Sequence, residues 1–533
     1  PPDKKKDYGE LRQRLSKLGS TFGENVLDAT SAWSKQVTAE QLRGLPETAM
    51  ASAKQAAVAA GHQDYLINLE FPSLSPVLNY CDDRELRETV YTAHCTRASE
   101  LGPNGGQWDN TALITDTLQL RSELSQLLGF ENYAELSLAT KMAESAASVV
   151  DFLQQLAEQS LSQAKEEWRQ LVEFARNDSG LTDLQSWDVG YYSEKLRQNR
   201  YQVSQEDIRP YLPVNRVLPG LFEVVRRLYG VDVNEVEHFD SYHPDVKLFE
   251  LLRDGEVIAR FFLDLYARAH KRGGAWMDDC RVRRETPEGL QIPVAYMVCN
   301  FTAPVGDSPA LLTHNELTTL FHEFGHALHG LFSDVEYPYF SGTSVPRDFV
   351  EYPSQVNEMW ATWPEVLANY AVHFETGAPM PQALLGKVLA AQKFNQGFST
   401  SEYLAASVLD QALHQLAPNE VPTAEQIPQF EADALAKAGL DIRQVPPRYK
   451  SAYFSHIMGG YSAGYYSYIW SEVLDADSVE WFKENGGLVR ANGDHFRNTL
   501  LSKGGSREAM SLFKDFRGRE ASIEPLLLRR GLQ

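Results

Sequence analysis

The chain is 533 residues long, 43% hydrophobic and 11% aromatic, enough apolar side chain to bury a large core and to exclude disorder on the scale of the whole chain. Lys and Arg number 50 against 72 Asp and Glu, a net charge of −22; so acidic a field repels phosphate backbones and excludes nucleic acid as an expected partner. No apolar run reaches about eighteen residues, so no membrane-spanning helix is expected.

The four cysteines, Cys81, Cys95, Cys280 and Cys299, include no Cys-x-x-Cys pair, so neither a disulfide framework nor a thiolate metal site is expected. The opening Pro-Pro-Asp-Lys-Lys-Lys lacks an initiator Met and an apolar leader, and it reads as a processed or cut start. The expected compartment is the cytoplasm, with the periplasm as the alternative.

Taken in chain order, the first half reads as helix after helix. Tyr8, Leu11, Leu15, Leu18 and Phe22 recur at spacings of three and four, one apolar stripe. Beyond a polar loop (residues 102–106), Val149, Phe152, Leu156, Ala164, Trp168 and Leu171 mark a longer helix. Both stripes read as core packing, and an all-helical scaffold is predicted through about residue 240. The pattern then changes. Residues 246–252 and 257–266, joined by Arg253-Asp254-Gly255, predict a hairpin, and residues 293–301 form a third run rich in β-formers. Between them, Gly273-Gly274-Ala275-Trp276-Met277 suits an edge strand that permits close backbone approach. The fold class predicted is mainly α with one small β-sheet, a helical lobe over residues 1–245 and a second lobe over 246–533.

Directly after the sheet, Thr313-His314-Asn315-Glu316 forms a capping box, and the helix it starts contains His322-Glu323-Phe324-Gly325-His326. Residues four apart lie on one helix face, so both imidazoles point the same way, as two nitrogen ligands of one tetrahedral Zn²⁺ would. Glu323, next to the first ligand, is placed to act as a general base on a water. The bland alternative is a pair of satisfied core histidines; a capped helix following a sheet favours the metal. Catalytic zinc takes three protein ligands. For the third, His329, Glu336, Asp348, Glu351, Glu358 and His373 lie downstream. Glu351, Gln355 and Glu358 share a helix face, but Asp348 and Glu351 also make a plausible capping pair and Pro353 disturbs the helix. On these grounds Glu351 is preferred to Glu358, and the choice stays open.

The stretch from Thr319 to His329 resembles the metal-binding helix of the thimet oligopeptidase family of zinc peptidases. So does Ser341-Gly342-Thr343, followed by Pro346-Arg347-Asp348-Phe349-Val350-Glu351-Tyr352-Pro353-Ser354-Gln355. A third block, from Phe454-Ser455-His456 through Gly459-Gly460-Tyr461 to Tyr468, is similar to the family's Tyr-rich loop. The resemblance covers at least residues 245–533 and leans toward the branch that releases dipeptides from a free C-terminus, the dipeptidyl carboxypeptidases. It implies two mainly helical lobes around a deep, narrow channel with zinc at its floor, open to short unstructured peptides, and a monomer. It also implies a further helical segment ahead of the point where this chain begins.

Residue by residue, the resemblance implies one Zn²⁺ held by His322, His326 and Glu351, with Glu358 bonded behind a ligand. Glu323 becomes the general base, and His456, Tyr461 and Tyr468 become donors to substrate and transition state. Tyr465 and Ala275 are expected to line the bound peptide. A free C-terminal carboxylate needs a cation at a fixed distance from the metal. Arg347, Arg448 and Lys450 are the candidates, with Arg448 favoured because its segment leads into His456 and Tyr461. The alternatives are an endo-oligopeptidase of the same family and, further off, a peptide-binding protein with a structural zinc.

Overall fold

The computed structural model describes residues 2–441 and 445–532. The fold is mainly helical, with one five-stranded mixed sheet near the middle of the chain. The first helix, α1 (Pro2–Ser31), carries the predicted stripe and buries Phe22 and Ala29. After it, β1 (Ser34–Val37) pairs antiparallel with β2 (Tyr65–Asn68). The first half is therefore not all helical. Each of these strands is only four residues long, too short for an alternation to show, and they pair across a helix-bearing excursion. Helices α2 (Thr111–Leu128) and α3 (Ala146–Ser179) follow. The Ser145 side chain accepts from the Ser148 amide in a reciprocal cap, which starts α3, and Gly180 ends it in the left-handed conformation.

The sheet takes a strand from before residue 246, β3 (Asp232–Val236), then β4 (Lys247–Arg253) and β5 (Glu256–Tyr266), the predicted hairpin. Next comes β6 (Trp276–Arg281), then a separate short hairpin, β7 (Arg284–Thr286) and β8 (Gly289–Gln291). The last strand is β9 (Val294–Phe301). The order is β3-β4-β5-β9-β6, with β5 and β9 parallel, so β6 is an edge as its Gly-Gly-Ala lead suggested. Buried Phe249, Phe261, Leu263, Ala295 and Met297 form one face of this sheet.

Helix α4 (His314–Leu331) lies against β5, β6 and β9, its start capped by Thr313 with Glu316 answering, as predicted. Leu317, Leu320, Phe321, Phe324, Leu328 and Leu331 all lie in the larger core, with the sheet and residues 474–516. Helix α5 (Arg347–Glu358) crosses α4. The crossing is set at Gly325, where a Cβ would come within 2.6 Å of the Ser354 Cα, 2.9 Å of the Asn357 Cβ and 3.2 Å of the Pro353 carbonyl oxygen. A side chain there would push the helices apart. Asn357 Nδ2 donates to the Phe321 carbonyl (2.6 Å) and pins the same crossing. Helix α6 (Gln396–His414) runs along α3, and α7 (Ser467–Glu484) packs on α5. A second core joins Phe22, Ile114, Val149 and Leu156 to Leu404, Leu409, Phe454 and Tyr465. The segment that ends in α7 therefore touches both cores.

Candidate active site

The crossing of α4 and α5 brings three ligand atoms together. Glu351 Oε2 lies 3.1 Å from His322 Nε2 and 3.0 Å from His326 Nε2. Two ligands each about 2.0–2.1 Å from one tetrahedral ion would stand roughly 3.3 Å apart, so the spacing fits a single zinc-sized cation. The donor set, two imidazole nitrogens and one carboxylate oxygen, also suits zinc, and nearly as well cobalt or manganese. On the far side of the first ring, His322 Nδ1 lies 2.7 Å from Glu358 Oε1. That bond fixes the tautomer, with Nδ1 protonated toward the carboxylate and Nε2 left bare for a metal. The side chains of His322 and His326 keep 17% and 12% exposure while Glu351 keeps only 3%, so the cluster is reachable by solvent from the imidazole side.

The electrostatics of the cluster follow from its burial. Burial alone would lower the His322 imidazole, but the bonds to Glu351 and Glu358 outweigh it and hold the ring well above its ordinary value. Burial likewise would raise Glu351, and the neighbouring His326 and His322 hold it well below the usual carboxylate range. Both shifts describe a site that favours positive charge next to a carboxylate, which a divalent cation supplies. Glu323 is nearly sealed, and its Oε2 is buried with no hydrogen-bond partner among the described residues. Burial raises its pKa, against the pull of His322 and His326. A carboxylate left unpartnered beside a metal-ligand cluster is a candidate proton acceptor.

The other acids considered as third ligand are placed elsewhere. Asp348 does not cap α5, which starts after Pro346 without a side-chain cap. Its carboxylate is fully buried and accepts from the amides of Met142 (2.9 Å) and Ala143 (3.0 Å) and from the Tyr466 hydroxyl (2.7 Å). The conflict between capping and ligation at Glu351 therefore does not arise, and α5 runs through Pro353 at the loss of one internal bond. His329 is fully buried with neither ring nitrogen partnered among the described residues, and burial pushes it down to about 3.

The Tyr-rich segment reaches the same cluster. The Tyr461 hydroxyl donates to Glu351 Oε1, and its ring stacks on that of Tyr468 (centroids 5.1 Å apart, 10° between planes). The His456 ring stands 5.9 Å from Tyr461, 5.3 Å from Tyr465 and 6.2 Å from Tyr468. Burial, then the charge of Arg448, lowers the His456 imidazole to about 4, so it is neutral near pH 7. Burial holds the phenols of Tyr461, Tyr465 and Tyr468 well above their ordinary range, so they remain O–H donors. Gln355, on the face shared with Glu351 and Glu358, donates to the Tyr468 carbonyl (3.0 Å) and ties the two helices together.

The candidate cations divide. Arg347 lies over the Tyr461 ring, 4.9 Å from its centroid. Arg448 is exposed, and its guanidinium has no hydrogen bond or ion pair among the described residues, though it lies in the field of Tyr465, Tyr449 and Glu402. Lys450 instead sits near Cys95. Ala275 leads into edge strand β6 and is partly buried against the larger core. Lys141 was not anticipated; its Nζ donates to the carbonyl (2.6 Å) and hydroxyl (2.7 Å) of Ser137, beside Gly464. It comes from a loop with no motif, so its spacing carries no signal.

A paired-histidine helix crossed by a glutamate helix, with an unpartnered acid between them, defines a metallopeptidase. The chain belongs to peptidase family M3, whose family description matches residues 77–532. It is 47% identical over 545 residues to oligopeptidase A of Salmonella typhimurium, covering 100% of this chain and 79% of that protein. It is 38% identical over 529 residues to dipeptidyl carboxypeptidase of Escherichia coli, covering 98% of this chain and 76% of that protein. The narrower resemblance, to the dipeptide-releasing branch, thus gives way to a higher identity with oligopeptidase A. The fold resembles the solved structure of PZ peptidase A with an inhibitor (TM-score 0.57, 16% identity, covering 98% of this chain and 76% of that one). Among the described residues no helix is long and apolar enough to cross a membrane.

Proposed function

We propose that this metallopeptidase is a zinc-dependent oligopeptidase that cuts within short, unstructured peptides. The observation that carries the reading is the gap in identity, 47% with oligopeptidase A against 38% with dipeptidyl carboxypeptidase, over almost the same stretch of chain. His322, His326 and Glu351 would hold the ion, and Glu358 would fix the first imidazole. Zn²⁺ bound there would polarise the scissile carbonyl and lower the pKa of a water to about 7.

The chain's own groups do the rest. Glu323, its pKa raised by burial, takes the proton of the attacking water and returns it to the departing amine. Tyr468, kept as a phenol, and neutral His456 donate hydrogen bonds to the oxygen on which charge develops, while the Tyr461 hydroxyl holds the metal ligand Glu351. The backbone around Ala275, ahead of the β6 edge, would line the peptide; Tyr465, expected there too, is buried in the second core and packs against His456 and Tyr468 instead. The two lobes would form a narrow channel that excludes folded proteins, with the chain acting as a monomer in the cytoplasm.

A second reading, release of C-terminal dipeptides, is favoured by one observation. Arg448 is an exposed guanidinium with no hydrogen bond among the described residues, its charge felt at His456 and suited to a terminal carboxylate, and Arg347 over Tyr461 is the other candidate anchor. The test is to digest one nonapeptide in two forms, with a free and an amidated C-terminus, and to weigh the products. Internal cuts at similar rates in both forms support the oligopeptidase. Successive loss of dipeptides from the free form alone would establish the second reading instead.

A further inference from the structure

The Tyr-rich turn is held by a buried polar network that no part of the reaction uses directly. Asp410, fully buried on α6, receives the Ala463 amide on Oδ1 (2.9 Å) and the Tyr465 amide on Oδ2 (2.9 Å). His414, one turn on, places Nδ1 2.9 Å from Asp410 Oδ1 and 2.8 Å from the Asp410 carbonyl oxygen, while its Nε2 lies 2.6 Å from Arg121 Nη1 on α2. Arginine can only donate, so His414 Nε2 accepts and its Nδ1–H is turned to Asp410. Arg121 also donates to the Ile457 carbonyl (2.7 Å), at the start of the same segment. Further ties come from Gln411 Nε2 to the Ala463 carbonyl (3.1 Å), Tyr403 hydroxyl to the Tyr465 carbonyl, and Ser137 hydroxyl to the Ser462 carbonyl (2.7 Å).

The backbone between these ties is in an unfavoured state. Ala463 has φ +49°, the left-handed region that a residue with a Cβ occupies at a cost. Two amides, on either side of Gly464, converge on one carboxylate, so Asp410 stabilises this turn directly. Tyr461 lies two residues before Ala463 and Tyr468 three after Tyr465, and their rings meet in a parallel stack against Glu351.

We infer that Asp410, oriented by His414 and Arg121, is a positioning residue for the reaction: it holds the strained Ala463 turn so that the Tyr468 hydroxyl faces the metal cluster. This rests on the proposed reading of that tyrosine as a donor to the reacting oxygen. Asp410 itself touches no substrate. Its effect therefore belongs in kcat and has to pass through Tyr468.

The test uses the full, metal-loaded chain and a quenched fluorescent peptide. Asparagine keeps the shape of Asp410 but turns an amide N–H₂ toward one of the two backbone amides. Asp410→Asn is expected to lower kcat by about 30- to 100-fold, the scale of losing or misplacing one donor by about 1 Å. KM should stay within about 3-fold and metal content should not change. In a Tyr468→Phe background, the same substitution should cost no more than about 3-fold, because the group it positions is already gone. Native kcat in Asp410→Asn, losses that multiply in the double variant, or loss of metal together with activity would each overturn the inference. If Asp410→Asn does not fold, Tyr403→Phe, which frees the Tyr465 carbonyl and the Ile469 amide, carries the test. It should lower kcat several-fold and show the same absorption by Tyr468→Phe; native kcat would again overturn the inference. Native turnover in Tyr468→Phe alone would remove the donor reading beneath it, whereas native turnover in Asp410→Asn beside a crippled Tyr468→Phe would remove only the positioning role.

Discussion

Gly325 sits between Phe324 and His326 in the metal helix, and its missing side chain sets how closely the glutamate helix approaches. In Gly325→Ala the new Cβ would start 2.6 Å from the Ser354 Cα and 2.9 Å from the Asn357 Cβ. Carbon atoms rest at about 3.5–4.0 Å, so α5 must retreat from α4 by roughly 1 Å. Neither helix can yield locally, because the atoms met are backbone and Cβ rather than the end of a flexible side chain. Overpacking of this kind costs about 1–3 kcal/mol of stability. The functional cost is separate: Glu351 moves with α5 while His322 and His326 stay on α4, opening contacts that now stand at 3.0 and 3.1 Å. A displacement of that size in a catalytic cluster is worth about 100-fold in rate. The assay is kcat/KM on a quenched peptide, paired with the rate of inactivation by a chelator and the melting temperature. A fall in kcat/KM of about 30- to 100-fold with faster chelation is expected. Native kcat/KM and native resistance to chelator would refute the claim that Gly325 sets the geometry of the site.

Glu358→Gln removes the charge that holds His322 Nδ1 at 2.7 Å and should weaken metal binding by about 10- to 100-fold in a chelator competition; unchanged affinity would count against the role given to Glu358. His329 is pushed down to about 3 by burial, whereas an unfolded chain protonates it near about 6.5. Its folded pKa is lowered, so the unfolded chain binds the extra proton between those values, and the stability is full above about pH 6.5 and lost as pH falls toward 3. His329→Leu should therefore flatten the acid limb by about 1.4 kcal/mol per pH unit, read as urea midpoints at pH 7 and pH 5, and parallel pH profiles for the two proteins would refute it.

The parts of the site that sequence reasoning reached were those written in one local stretch. Thr313 and Glu316 announce the start of α4, and the four-residue spacing of His322 and His326 fixes their common face. The β4–β5 hairpin is legible because Asp254-Gly255 turns between two apolar runs, both residues taking positive φ. What escaped depended on distant partners. The pairing of β1 with β2 joins two four-residue segments with no alternation of their own. Asp348 and Glu351 look alike as caps or ligands in sequence, and only the approach of Met142, Ala143 and Tyr466 separates them. Asp410 is similarly silent: it is one of two acids in a largely apolar helix, and its meaning comes from amides more than fifty residues away. The order of the relatives, with oligopeptidase A ahead of dipeptidyl carboxypeptidase, was also beyond three motifs that the family shares.

The central claim is that one metal is held by His322, His326 and Glu351, with Glu323 as the base that moves the proton. Glu323→Gln tests it most directly, because glutamine preserves the shape of the side chain while removing its capacity to accept a proton. Metal per chain and kcat are measured on the same preparation. One equivalent of metal with kcat lowered by about 100- to 10,000-fold is the expected result. Native turnover, or loss of the metal along with the activity, would contradict the account.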